Sequence, residues 1–204
     1  LGFVAGWGIH PLDIAYWGHP GMVDGPVKVE GKAIFPTEGA CNTAIAWDVR
    51  FKFADGVSMK YIGTRNGYDE VNEMNDLKPW QEKYGRAIDH GTAFEGTEGW
   101  VLVDRGAIRT HPENLVEEKF GPNDIRLIQS SNHVRNFLDS VKSRAATICP
   151  IEDSVQGDIL CHLSDIATRL KRPLNWDPDT ERFINDREAN RRLVLRRMRA
   201  PWGL

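Results

Sequence analysis

The 204-residue chain has little of several things that define other protein classes. Its three cysteines, Cys41, Cys149 and Cys161, are odd in number and far apart, which excludes a disulfide framework and a zinc site of usual ligand spacing; they read as ordinary buried thiols. No apolar run is long enough to span a bilayer, so no membrane partner is expected. A formal net charge of −3 gives no electrostatic reason to expect nucleic acid either. There is no internal repeat and no low-complexity segment, which excludes solenoids and arrays. Nothing follows the order strand, Gly-x-Gly-x-x-Gly turn, helix, the arrangement that seats a pyrophosphate on helical N–H groups. Residues from Leu1 onward carry no secretory pattern, and the compartment stays open.

What is present reads as strands followed by helices. A chain of this length buries one sizeable core, so residues 1–204 are expected to form a single domain. Residues 43–53 alternate, with Ile45, Trp47, Val49, Phe51 and Phe53 on one side and Ala46, Asp48, Arg50 and Lys52 on the other, which predicts a half-buried strand. Ala54-Asp55-Gly56 supplies a turn, and Val57 to Gly63 returns as its partner. Val27 to Phe35 is a third strand, and Trp100 to Asp104 with Ala107 to Thr110 a further hairpin. Thr64 to His90 has no clear period and reads as long irregular structure, in which Tyr68, Trp80 and Tyr84 either stack on a sugar or pin the loop. After Ser130 the period is helical: Val134, Phe137, Leu138 and Val141 form one stripe, and Val155, Ile159, Leu163, Ile166 and Leu170 another, ended by Pro173. Both stripes are expected to cover a sheet. His133 and His162, beside these stripes, read as structural. Arg191, Arg192, Arg196, Arg197 and Arg199 form the one basic cluster, either a solvated helical face or a contact with another domain or subunit.

The residues with the most chemistry lie near the start. In Gly6-Trp7-Gly8-Ile9-His10-Pro11-Leu12-Asp13, two glycines loosen the backbone and Pro11 suits the first helical position, which puts His10 at the N-cap. Asp13 and Trp17, three and seven residues on, then share its side of the helix. An imidazole beside a carboxylate suits acid/base work on a hydroxyl or carbonyl. Spacing alone leaves open a capping histidine with a surface aspartate. Trp7 either walls a pocket or packs in the core.

The run from Gly6 to Trp17 resembles the active-site turn and helix of the glucose-fructose oxidoreductase and inositol dehydrogenase family, Gfo/Idh/MocA, with its Gly-x-His-x-x-Asp core. Other stretches are similar to the family in the same order: Gly96-Thr97-Glu98-Gly99; His133 to Leu138; Leu174-Asn175-Trp176-Asp177-Pro178; Glu188-Ala189-Asn190; and Arg199-Ala200-Pro201-Trp202. One position departs, since many members carry an aspartate where this chain has Gly6, and the family's Glu-Lys-Pro motif is absent.

The resemblance implies an α+β fold: an open, mainly antiparallel sheet with helices packed on one face, like the C-terminal domain of dihydrodipicolinate reductase, without a Rossmann half. The chain is then expected to be the substrate-side, C-terminal domain of an oxidoreductase that moves a hydride between NAD or NADP and a sugar, polyol or related carbohydrate. His10 would be the catalytic acid/base group, with Asp13 and Trp7 binding substrate. The expected partners are the carbohydrate, the protein's own N-terminal nucleotide-binding domain, which these residues lack, and further copies of the chain. No cofactor is expected on these residues alone, and little activity. Two other readings remain: a redox-assisted carbohydrate lyase or glycosidase with retained NAD, and a non-catalytic sugar-binding or oligomerisation module.

Overall fold

The computed structural model describes residues 1–64, 74, 77–85, 90–194 and 200–201. Its strands are, in chain order, β1 Val27–Ile34, β2 Ala46–Lys52, β3 Ser58–Thr64, β4 Thr92–Glu95, β5 Trp100–Val103, β6 Ile108–His111, β7 Leu174–Asp177 and β8 Arg182–Phe183. The α-helices are α1 Phe3–Gly6, α2 Ile9–Gly18, α3 Lys78–Tyr84, α4 His133–Ser143, α5 Ile151–Leu170 and α6 Arg187–Arg191. The fold is α+β, and every strand pair is antiparallel. The chain divides into two compact units, one of Leu1–Ile9, His19–Leu77 and Ile159–Leu204, the other of His10–Gly18 and Lys78–Asp158.

The first unit is built on a five-stranded sheet in the order β3-β2-β1-β7-β8. The alternation in β2 does what its period requires: Trp47, Val49 and Phe51 are buried, while Arg50 and Lys52 are exposed. Asp48, on the charged side, is also buried, 3.6 Å from Lys60 Nζ and 4.0 Å from Arg50 Nε. Gly31 sits opposite Val49, where a Cβ would come within 2.7 Å of Asp48 O, so this register requires a residue without one. The turn after β2 forms as its residues dictate, with Gly56 at φ 92° and Asp55 Oδ1 accepting from Val57 N at 3.0 Å. On β3, the buried Tyr61 hydroxyl donates to Val4 O at 2.7 Å, and Gly8 leaves the space that this hydroxyl fills. The later turns of α5 bury Leu160, Cys161, Leu163, Ile166 and Ala167. The helix closes on Lys171 at φ 54°, whose N–H donates to Ala167 O at 2.9 Å, two residues before Pro173.

Polar side chains lock the C-terminal segment. Phe183 N donates to Asn190 Oδ1 at 2.9 Å and Asn190 Nδ2 donates to Phe183 O at 2.8 Å, so one side chain supplies β8 with a missing strand partner. Asp186 caps α6 by accepting from Ala189 N at 3.0 Å, and Arg172 grips both oxygens of the same carboxylate.

The second unit carries a separate three-stranded sheet, β4-β5-β6. Gly96 to Gly99 forms the β4–β5 loop, closed by Gly96 N donating to Gly99 O at 2.8 Å. Asp104 Oδ1 accepts from Gly106 N and Ala107 N and shapes the next turn. Helix α4 is capped by Asn132, whose Oδ1 accepts from Arg135 N at 2.8 Å.

Several expectations need correction. The strands form two sheets, with β4 an added strand. Residues 78–84, read as irregular, are helical: Pro79 stands in the first turn, where no N–H partner is needed, and Trp80 and Tyr84 meet as an i,i+4 ring pair, 5.5 Å between centroids. Tyr84 is buried and donates to Glu95, so it pins its segment; Tyr68 lies outside the described residues. The α4 stripe covers no sheet and is exposed. Of the cysteines, Cys161 is buried, but Cys41 and Cys149 lie exposed in connecting segments that have no core to enter. His133 and His162 are both exposed. Of the basic cluster, Arg191 and Arg192 are exposed, and Arg196, Arg197 and Arg199 lie outside the described residues.

Asn190→Ala removes both bonds to Phe183 and should cost about 1–3 kcal/mol, seen as a lower thermal midpoint; an unchanged midpoint would show that β8 holds without it. Asp186 is held at about 2, against an ordinary 3.8, chiefly by Arg172 and then by the Ala189 N–H. A depressed carboxyl adds stability that is complete above the unfolded value and is lost as pH falls through the folded one. The stability difference between wild type and Asp186→Asn, followed by circular dichroism, should therefore be flat near neutrality and shrink between about pH 4 and pH 2.

Candidate functional site

The site residues of the second unit are mounted on α2. The helix begins at Ile9, so His10 is its second residue and Pro11 its third, two positions further into the helix than the expected N-cap. Pro11 is tolerated there because the first-turn N–H groups have no intrahelical partner. Leu12 and Ala15 are buried, whereas His10 is exposed and Asp13 half-buried, so the helix turns the imidazole outward beside the carboxylate as the spacing requires. Two contacts fix this helix on β4: Thr92 Oγ1 donates to Pro11 O at 2.6 Å, and Gly18 leaves the space occupied by the Phe94 ring.

Asp13 is electrostatically tuned. Burial raises its pKa first, the nearby carboxylate of Asp153 raises it further, and His10 acts the other way. Asp153, in the first turn of α5, was missed by sequence reasoning. It is an ordinary first-turn acid by spacing, and nothing local connects residue 153 with residue 13. The arrangement gives an accessible base next to a carboxyl that holds its proton more tightly than a surface aspartate does.

Trp7 belongs to the first unit, where it is exposed rather than packed in a core. A Cβ at Gly6 would meet nothing within 4 Å, so the missing aspartate is not excluded by crowding. A second histidine–carboxylate pair, His19 Nε2 and Asp55 Oδ2 at 2.9 Å, lies in the first unit; Asp55 also closes the turn after β2, which makes the pair structural. In the second unit, Glu95 is held below the usual carboxylate range by Lys83, 2.7 Å away, and by the Tyr84 hydroxyl; burial pushes the Tyr84 phenol up. Among the described residues no three or more His, Cys, Asp or Glu side chains are grouped to hold a metal ion. No parallel strand–turn–helix unit, the arrangement that seats a dinucleotide pyrophosphate, stands among them either.

Residues 93–204, just over half of the chain, match the family model described as "Oxidoreductase family, C-terminal alpha/beta domain", and the chain belongs to this Gfo/Idh/MocA oxidoreductase family. The match begins after α2, so His10 and Asp13 stand outside the matched residues. Among solved structures, the crystal structure of an NAD-binding protein from Listeria innocua is similar at 19% identity and a TM-score of 0.49, over 84% of this chain. The chain spans 47% of that one, about half its length. No curated protein matches the chain.

The site's coupling is open to titration. In NMR titrations, Asp153→Asn should lower the Asp13 pKa toward the ordinary carboxyl value, and His10→Ala should raise it further, following the signs of the two neighbours. An Asp13 midpoint that neither change moves would place these groups apart.

Proposed function

We propose that this chain is the substrate-side domain of an NAD(P)-dependent oxidoreductase that acts on the CH–OH group of a sugar, polyol or related carbohydrate. The observation that supports it most is the exposed His10 imidazole three residues from the half-buried Asp13 on one face of α2. In the complete protein the nicotinamide cofactor supplies or accepts the hydride. The residues of this chain handle the proton: His10 takes it from the hydroxyl in oxidation and returns it to the carbonyl oxygen in reduction. Asp13 orients the substrate hydroxyl or the imidazole by hydrogen bonding. Trp7, exposed on its own unit, is assigned to contact with the carbohydrate.

A second reading is favoured by Gly6. Because that position has room for the missing carboxylate, its loss points to altered chemistry, such as a lyase or glycosidase step assisted by transient oxidation. Release of cleaved product without net reduced cofactor distinguishes it.

The test is carried out on the protein that includes a nucleotide-binding half, with a panel of polyols. His10→Ala should lower turnover by roughly 100-fold through lost acid/base catalysis, with substrate affinity little changed. Turnover like wild type across the neutral pH range would remove His10 from the chemistry.

A further inference from the structure

Helix α2 is held only weakly by its own sequence. No acidic residue stands in its first turn to meet the helix dipole, and only Leu12 and Ala15 are buried. First-turn N–H groups have no intrahelical acceptor, so the turn that carries His10 is the part of the helix that its backbone fixes least. What meets it from outside is β4. Thr92 Oγ1 donates to Pro11 O at 2.6 Å, and two residues further along the strand the Phe94 ring fills the space that a Cβ on Gly18 would need. Thr92 and Phe94 share one face of β4, because side chains alternate along a strand, and Pro11 and Gly18, seven residues apart, share one side of α2. The strand is itself anchored: it pairs with β5 from Thr92–Val103 to Glu95–Trp100, and Glu95 accepts from the Tyr84 hydroxyl and lies 2.7 Å from Lys83 Nζ.

We propose that Thr92 is a positioning residue of the candidate site, whose hydroxyl fixes the roll and axial position of the first turn of α2 and thereby the direction in which His10 and Asp13 point. The assignment rests on the acid/base reading of His10 and deepens it. The ring seated against Gly18 holds only the far end of the helix; the bond at Pro11 O ties down the near end, within one turn of both His10 and Asp13. Packing alone does not call for a hydroxyl here, since valine has the shape of threonine and suits a strand equally well. What the hydroxyl adds is the bond. The roll of the helix also has a local reporter. Asp13 feels burial and the carboxylate of Asp153, in the first turn of α5, and a turn of α2 about its axis alters both, whereas the His10–Asp13 spacing along the helix stays the same.

NMR titration of the 204-residue chain tests the proposal. Thr92→Val should move the Asp13 midpoint toward the ordinary carboxyl value and shrink the shift produced by Asp153→Asn by about half or more, the mark of lost coupling. The far-ultraviolet spectrum should not change, because the substitution conserves shape. Thr92→Ser, which keeps the hydroxyl, should restore both the midpoint and the coupling. In the protein that includes a nucleotide-binding half, Thr92→Val should lower kcat by roughly 10-fold with KM little changed, through misplacement of His10. An Asp13 midpoint and an Asp153 coupling that Thr92→Val leaves unmoved overturn the assignment. So does a Thr92→Ser chain that titrates like Thr92→Val, because packing rather than the hydrogen bond is then the cause. The titrations need no turnover, so failure of His10 as the acid/base group, read from His10→Ala in the complete protein, is distinguished from failure of Thr92 as its positioner.

Discussion

The pairing of β1 with β7 is the constraint on which the first unit rests. It places Val27 opposite Trp176, Lys28 opposite Asn175 and Val29 opposite Leu174, joining a strand near the start of the chain to one near its end. Closing so long a loop is entropically costly, but the cost grows only with the logarithm of loop length. What offsets it is burial on a single face, since Val27, Val29, Leu174 and Trp176 are all buried. Without β7, β1 would keep an open edge and β8 would have no strand to join. The family motif Leu174-Asn175-Trp176-Asp177 is thus explained by sheet architecture.

Other motifs within the described residues have a similar explanation. Asn190 supplies the edge of β8 with both a donor and an acceptor, and Asp186 serves as helix cap and as partner of Arg172. Gly96 to Gly99 closes a hairpin, and Asn136 of the α4 motif holds Ile148 N. These residues satisfy backbone groups that would otherwise be unpaired, which explains why a set of weak motifs identifies the fold well and the substrate poorly.

The candidate site lies on α2, outside the stretch that carries the family match. Its His10–Asp13 spacing is a property of the helix alone, whereas the protonation of Asp13 depends on burial and on Asp153, 140 positions later. In the proposed reading these residues handle the proton and the substrate, and the hydride is the cofactor's.

The sequence by itself determined the elements whose cause is local: the alternation of β2, the Asp55-Gly56 turn, the β5–β6 hairpin, the end of α5 before Pro173, and the shared face of His10 and Asp13. Each depends on a period of two or 3.6 residues, or on a backbone preference within a few positions. Tertiary structure alone decided which strands share a sheet, that Trp80 and Tyr84 belong to a helix, that Cys41 and Cys149 are exposed, and that the apolar stripe of α4 faces outward. Those outcomes depend on which distant segments meet. A periodic stripe states that a face is apolar, but not what covers it, and the carboxylate beside Asp13 is set by the path of the chain rather than by its neighbours in sequence.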